Sequence, residues 1–285
     1  MSTRSLELVS SLPMMPLIPQ VIKSMYRSNN EFDILKFADM VTKEPTLSAK
    51  LIGYANSPLY RSDRSIKTVR DAVVRIGVSQ TKDAIFPLMI GSVIHTPDCP
   101  SFSLATFWYN FMMKGQFARC MLTRIPQRHA VNSDEIYCIS LVSGLGLLLM
   151  VRQYPMEMSQ IFREDSDETP ITERIKKRFN GHGYHFFSGK LMEHWGLPAS
   201  YVETLVHMDD EDYDGAYQNE IRILNFSRAL FKAVDRNYNL PTEMSADGIS
   251  LDEAQIQSIT NCVFEEHTFI KGMADHMRPA GNSEV

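Results

Sequence analysis

The chain has 285 residues, of which 44% are hydrophobic and 22% charged, a balance that excludes a disordered or fibrous protein. Lys and Arg number 29 against 34 Asp and Glu, a net charge of -5, so the protein as a whole is not a polyanion binder, which needs an excess of cations over the phosphates it neutralises. Nucleic acid is therefore not an expected partner. The four cysteines, Cys99, Cys120, Cys138 and Cys262, contain no C-x-x-C pair and are too few for a disulfide framework; they read as reduced thiols of a cytoplasmic protein.

The apolar periodicity is helical almost everywhere. Pro16 and Pro19 open a short helix carrying Val21, Ile22 and Met25. Ile34, Phe37, Ala38 and Val41 form one face of the next, and Pro45 starts a third along Leu47, Leu51, Tyr54 and Ala55. Asn56-Ser57-Pro58 ends it, because a residue before proline resists helical geometry. Val69, Ala72, Val73 and Ile76 mark a fourth helix, which Gly77 is expected to stop in a left-handed cap while Ser79 caps the one that follows. That next segment holds Ala84, Ile85, Leu88 and Met89, with Pro87 predicting a kink.

Thr96 to Pro100 reads as a loop, Leu104 to Arg124 as a long helix with Leu104, Trp108, Phe111 and Met112 as its stripe, and Pro126 to Asn132 as another loop. The longest apolar stretch, Tyr137 to Val151, falls short of the ~20 residues needed to cross a bilayer and reads as a helix buried on all sides. With no long apolar run after Arg4, neither a signal peptide nor a membrane partner is expected. Asp165 to Pro170 is acidic and turn-rich, a candidate mobile loop. Helices are predicted over about 171–179, 183–195, 198–207, 219–235 and 251–271, with a boundary at the acidic cluster Asp209–Asp212 and a frayed tail after Arg278. No alternating pattern predicts a sheet.

Three ordered blocks carry a resemblance. The first is Leu12-Pro13, Leu17, Pro19 and Val21-Ile22. The second is Glu44-Pro45-Thr46-Leu47-Ser48-Ala49-Lys50-Leu51 with Ala55-Asn56-Ser57-Pro58-Leu59-Tyr60. The third is Ile66, Val69, Asp71-Ala72-Val73 and Ile76-Gly77. With Phe107-Trp108 and Trp195-Gly-Leu-Pro198 downstream, the set resembles the HDOD domains (HD-related output domains) over roughly residues 10–210. In physical terms the second block holds helices in place: Pro45 opens a helix, Ala49 and Leu51 pack inward, Asn56 suits a turn with unpaired backbone groups, and Tyr60 buries a ring while satisfying its hydroxyl.

The resemblance implies descent from HD-class metal-dependent phosphohydrolases, which hold a divalent ion with a His, a His-Asp pair and a later Asp, and use it to acidify a bound water. Here the first position falls at Asn110 and the pair at Ser143 and Gly144. An amide, a hydroxyl and a bare backbone carbon cannot hold the ion tightly, and no carboxylate lies between Glu135 and Glu157. The expectation is a degenerate site without HD-type hydrolysis, no metal and no cofactor. Small residues at Ser143, Gly144 and Gly146 also have a packing explanation, the close approach of helices.

A replacement ligand set is conceivable among His182, His185, His207 and Asp209, with His194 and Asp210 nearby. No H-E-x-x-H framework accompanies them, and surface or capping roles are the default for each. There is no G-x-S-x-G elbow and no phosphate-binding glycine loop. Cys120 alone has a basic context, between Arg119 and Arg124, and Lys176-Lys177-Arg178 reads as a solvated helix end. Of the 17 methionines most should fill the core; an exposed subset near Met14-Met15 or Met156-Met158 would indicate a partner groove.

These readings converge on an all-α protein: an N-terminal helical subdomain (1–100), a degenerate HD-like bundle (101–215) and a C-terminal helical extension (216–285). The expected function is a non-catalytic signalling or regulatory module that binds other signalling proteins, with a small ligand in the vestigial pocket. The competing reading is a metal-dependent phosphohydrolase that uses the non-standard ligands.

Overall fold

The structure is a computed structural model and describes residues 20–21, 33–60, 64–93, 99–125, 131–164, 169–237, 240–246 and 248–277. The first sequence block as far as Pro19, Ile22, Met14, Met15, Met25, the acidic stretch 165–168, most of the loop after Pro126 and the tail from Arg278 lie outside them. Among the described residues the fold is helical except for one two-stranded hairpin. They divide into two compact units, one within Pro16–Thr96, Leu104–Tyr109 and His267–Val285, the other within Pro97–Ser103 and Asn110–Glu266.

The first unit contains α1 (Ile34–Thr42), α2 (Pro45–Ala55), α3 (Val69–Ile76), α4 (Val78–Val93), the start of α5 (Leu104–Arg124) and the last helix, α14 (His267–His276). Of its predicted apolar faces, Phe37, Ala38 and Val41, then Leu47, Leu51, Tyr54 and Ala55, then Val69, Ala72, Val73 and Ile76 are buried, while Ile34 is half-buried and Ala49, expected to pack inward, lies on the exposed side of α2. Asp33 caps α1 by accepting from the amides of Leu35 and Lys36 at 3.1 Å. Asn56 ends α2 and ties it to the chain before α3. Its side-chain amide donates to the carbonyls of Ile52 (3.0 Å) and Ile66 (2.9 Å), and its Oδ1 accepts from the Ile66 amide (2.8 Å). Gly77 has φ 90° and ψ 152°, so it stops α3 with a positive φ but outside the left-handed helical region. α4 begins at Val78, which places Ser79 inside its first turn rather than at a cap.

The second unit is built on α6 (Ser133–Ser143) and α7 (Leu145–Gln153), into which the predicted buried helix divides at Gly144. Every residue from Ile136 to Val151 is buried. Over Ser133–Gln153 the most apolar window is 89% buried inside the protein, as in a core helix. Asn132 caps α6 through the amides of Asp134 (2.9 Å) and Glu135 (3.0 Å). Around this axis lie α8 (Pro155–Arg163), α9 (Ile171–Arg178), α10 (Tyr184–His194), α11 (Ala199–Val206), α12 (Gln218–Asn237) and α13 (Glu253–Glu265). The region expected as a C-terminal extension is thus shared out: α12 and α13 belong to the second unit and α14 to the first.

Two expectations are corrected. Strands β1 (Glu243–Ala246) and β2 (Ile249–Asp252) pair antiparallel, with Met244 opposite Leu251. They are too short for periodicity to reveal; Gly248, just before β2, has φ 75°, a conformation glycine adopts at no steric cost. Cys120 and Cys262 form a disulfide, so these two are not free thiols, whereas Cys99 and Cys138 are. A sequence separation of 142 residues hides a proximity that only the packing of α13 on α5 creates.

The tightest approach is between α10 and the α6–α7 junction. A Cβ on Gly146 would lie 2.0 Å from the Tyr184 carbonyl oxygen and 2.7 Å from the Ser188 nitrogen. Gly146→Ala should therefore lower stability by about 1–3 kcal/mol, the usual cost of overpacking, read as a fall in the denaturant midpoint. Asn56→Ala removes four exposed hydrogen bonds, one of them from Arg75, and should cost about 1–2 kcal/mol by the same measurement.

Candidate functional site

The degenerate HD positions lie on α5 and at the end of α6. Asn110 is half-buried on α5. Ser143, 3% exposed, donates its hydroxyl to the Ser140 carbonyl at 2.7 Å. At Gly144 the space a side chain would need is filled by the Phe111 ring, whose nearest atoms lie 2.5–2.7 Å from an ideal Cβ, so the missing side chain here serves packing.

Ser188 explains how the helices come so close. Its hydroxyl donates to the Ser143 carbonyl (2.6 Å) and accepts from the Gly146 amide (2.8 Å), satisfying both backbone groups at the break between α6 and α7. One turn earlier on α10, His185 is carried into full burial. Its Nδ1 lies 2.9 and 2.8 Å from the two carboxylate oxygens of Asp209. Gly183 admits that carboxylate, since a Cβ there would lie 2.7 Å from Asp209 Oδ2.

Of the four alternative ligands only His185 and Asp209 come together. His182 stacks on Phe186 with ring centroids 3.9 Å apart. His207 stacks on Tyr213 at 4.5 Å and faces Glu203 and Asp210 at 3.5 and 3.4 Å. Met156 is 73% exposed while Met158 is fully buried, so this pair forms no methionine surface.

The electrostatics of the buried pair are set by burial and by cations. Burial pushes the His185 imidazole down to about 4, helped by the charge of Arg228 and opposed by the hydrogen bond to Asp209. Asp209 is held below the ordinary carboxylate range: burial opposes this, but the His185 hydrogen bond and the charges of Arg228 and Lys176 outweigh it. At neutral pH the pair is thus a neutral imidazole donating from Nδ1 to an ionised carboxylate. Two of the cations involved had no signal in the sequence reading. Lys114 sits in an apolar helix stripe, its ammonium 4.6 Å from the Phe111 ring centre and 5.8 Å from that of Phe231. Burial and then Arg228 bring it down to about 8. Arg228, on α12, donates to the Asn225 side chain at 3.1 Å.

His185 Nε2 is buried without a hydrogen-bond partner among the described residues. A lone pair oriented by a carboxylate behind the ring is what a metal-binding imidazole offers. A metal centre needs further donors, however, and among the described residues no group of three His, Cys, Asp or Glu side chains converges. The charges acting on His185 besides Asp209 are the cations Arg228 and Lys114. The residues present do not fit the divalent ion of the HD class.

Beside Asp209 opens a cavity of about 660 Å³. α12 contributes Arg222, Asn225 and Arg228 to its wall, and α9 contributes Thr172 and Lys176.

The depressed His185 value makes a pH prediction. In the unfolded chain this histidine takes up a proton near pH 6.5; in the folded protein it resists until about 4. Between those values the unfolded state binds more protons, so stability is intact above pH 6.5 and falls as pH drops toward 4. The loss should be on the order of 3 kcal/mol. Denaturant titrations across this window should show the decline in the wild type and a flatter profile in His185→Gln.

Three solved structures place the fold among known proteins. A proposed signal transduction protein from Marinobacter aquaeolei VT8 superposes with a TM-score of 0.75 at 22% identity, covering 95% of this chain. This chain spans 61% of that protein's length. A proposed phosphohydrolase from Shewanella amazonensis SB2B gives 0.68 at 17% identity, covering 97% of this chain and 99% of the other. An HDOD domain protein of unknown function from Geobacter sulfurreducens gives 0.66 at 18%, covering 97% of each. No curated protein matches. At these identities the likeness is one of fold. The family profile is decisive: the HDOD domain matches residues 12–211, and the chain belongs to the HDOD family.

Proposed function

We propose that this protein is a non-catalytic HDOD signalling module that acts by binding other proteins. The observation that carries this reading is the buried His185–Asp209 pair: the carboxylate holds Nδ1, and the other charges acting on the imidazole are those of Arg228 and Lys114, which are not ligands for a metal cation. The loss of side-chain ligands at Asn110, Ser143 and Gly144 supports it from the sequence. The Marinobacter relative, itself proposed to act in signal transduction, agrees with it. We assign the protein to bacterial signalling in the cytoplasm, in keeping with the free thiols Cys99 and Cys138; the Cys120–Cys262 bond is the one feature that runs against a reducing compartment.

The free Nε2 of His185 favours a second reading, a metal-dependent phosphohydrolase with non-standard ligands, and the Shewanella relative is proposed to be a phosphohydrolase. Elemental analysis and hydrolysis assays separate the two. Protein purified without chelators should contain less than a stoichiometric amount of iron, manganese or zinc, and should not turn over phosphomonoesters or cyclic dinucleotides. Stoichiometric metal together with turnover that His185→Ala abolishes would establish the enzyme instead.

A further inference from the structure

We infer that the cavity beside Asp209 is a binding site for a small organic phosphate. This rests on the non-catalytic reading above, since such a ligand would be held there rather than hydrolysed.

Among the carboxylates of the wall, half-buried Asp209 accepts from the neutral His185 and keeps its own charge, on which the charges of Arg228 and Lys176 act. The rim carboxylates are exposed, with Glu173 bonded to Lys176 at 2.7 Å and Asp210 facing His207 at 3.4 Å. Solvated pairs of this kind contribute little field inside a cavity. The cations are placed differently. Arg222 and Arg228 are half-buried on one face of α12, and among the described residues neither has a carboxylate within ion-pair distance. Lys114, packed against two aromatic rings, is likewise without an ion-pair partner among the described residues. Arg228 and Lys114 act on each other as like charges. Bringing cations together in a partly desolvated place is unfavourable unless an anion joins them.

The shape of the site narrows the anion. Two guanidinium forks suit the several oxygens of a phosphate dianion better than a single carboxylate, with Lys176 at the rim paired to Glu173. About 660 Å³ is the size of a small-molecule site, far larger than a bare phosphate requires. The remaining wall is suited to an organic group: Ile221 and Met208 are apolar, Tyr213 offers a ring, and exposed Asp210 and Glu211 can accept from hydroxyl or amino groups.

The test is isothermal titration of the full chain at low salt without added metal. The probes are adenosine 5′-monophosphate and ribose 5-phosphate, with adenosine, ribose and inorganic phosphate as separate arms. At least one ester should saturate at one per chain, bind more tightly than its parent alcohol or inorganic phosphate, and weaken as salt rises. Arg222→Gln and Arg228→Gln should each weaken it at least tenfold, while Lys271→Gln, in the other unit, should leave it unchanged. Among the described residues Arg222 makes no side-chain hydrogen bond, so its variant keeps the test valid if Arg228→Gln unfolds. The inference is overturned if neither ester binds, if inorganic phosphate binds as tightly as the esters, or if Arg222→Gln has no effect. Phosphorus NMR of the same mixtures separates the two readings. An intact bound ester supports both. Release of inorganic phosphate overturns the non-catalytic reading and leaves the site standing. Absence of binding with no turnover overturns only the site.

Discussion

The second unit depends on how closely α10 lies against the junction of α6 and α7. The approach requires the missing side chain of Gly146, and it is held by the Ser188 hydroxyl, which bridges the Ser143 carbonyl and the Gly146 amide. A break in a fully buried helix leaves backbone groups that water cannot reach, and an unpaired one costs about as much as a lost hydrogen bond. The serine removes that cost and fixes the register of α10. Because His185 lies three residues before Ser188, the same register drives the imidazole into the core and makes a nearby carboxylate necessary. Asp209 supplies it, and Gly183 leaves room for it.

The buried pair then determines the character of the site. The imidazole stays neutral and donates to the ionised carboxylate, because burial and the charges of Arg228 and Lys114 disfavour its protonated form while Arg228 and Lys176 favour the carboxylate. At the junction itself the Phe111 ring occupies the space over Gly144. The bundle is held there by an apolar core and by backbone contacts that align its helices.

Much was legible from residue order. The buried faces of α1, α2 and α3 follow from 3.6-residue spacing, because each helix has one partner side and one solvent side. The turn role of Asn56 was legible because the residue type is suited to local backbone bonding, and its partner Ile66 lies only ten residues on. The degenerate HD positions could be named for a similar reason: the loss of a ligand is a statement about residue identity, not about geometry.

What only tertiary structure decided are the encounters between distant segments. Cys120 and Cys262, His185 and Asp209, and Lys114 and Arg228 are paired by helix packing, and no spacing rule reaches across such separations. Single residues were ambiguous for the same reason: Lys114 interrupts an apolar stripe, and whether it reaches solvent or lies against Phe111 and Phe231 depends on helices far along the chain. The sequence by itself therefore determined that the protein is a predominantly helical member of the HDOD family, because composition, periodicity and residue identity are local properties. The charges that now face one another at the site were decided by folding, because Coulomb energy and desolvation depend on distance in space and not along the chain.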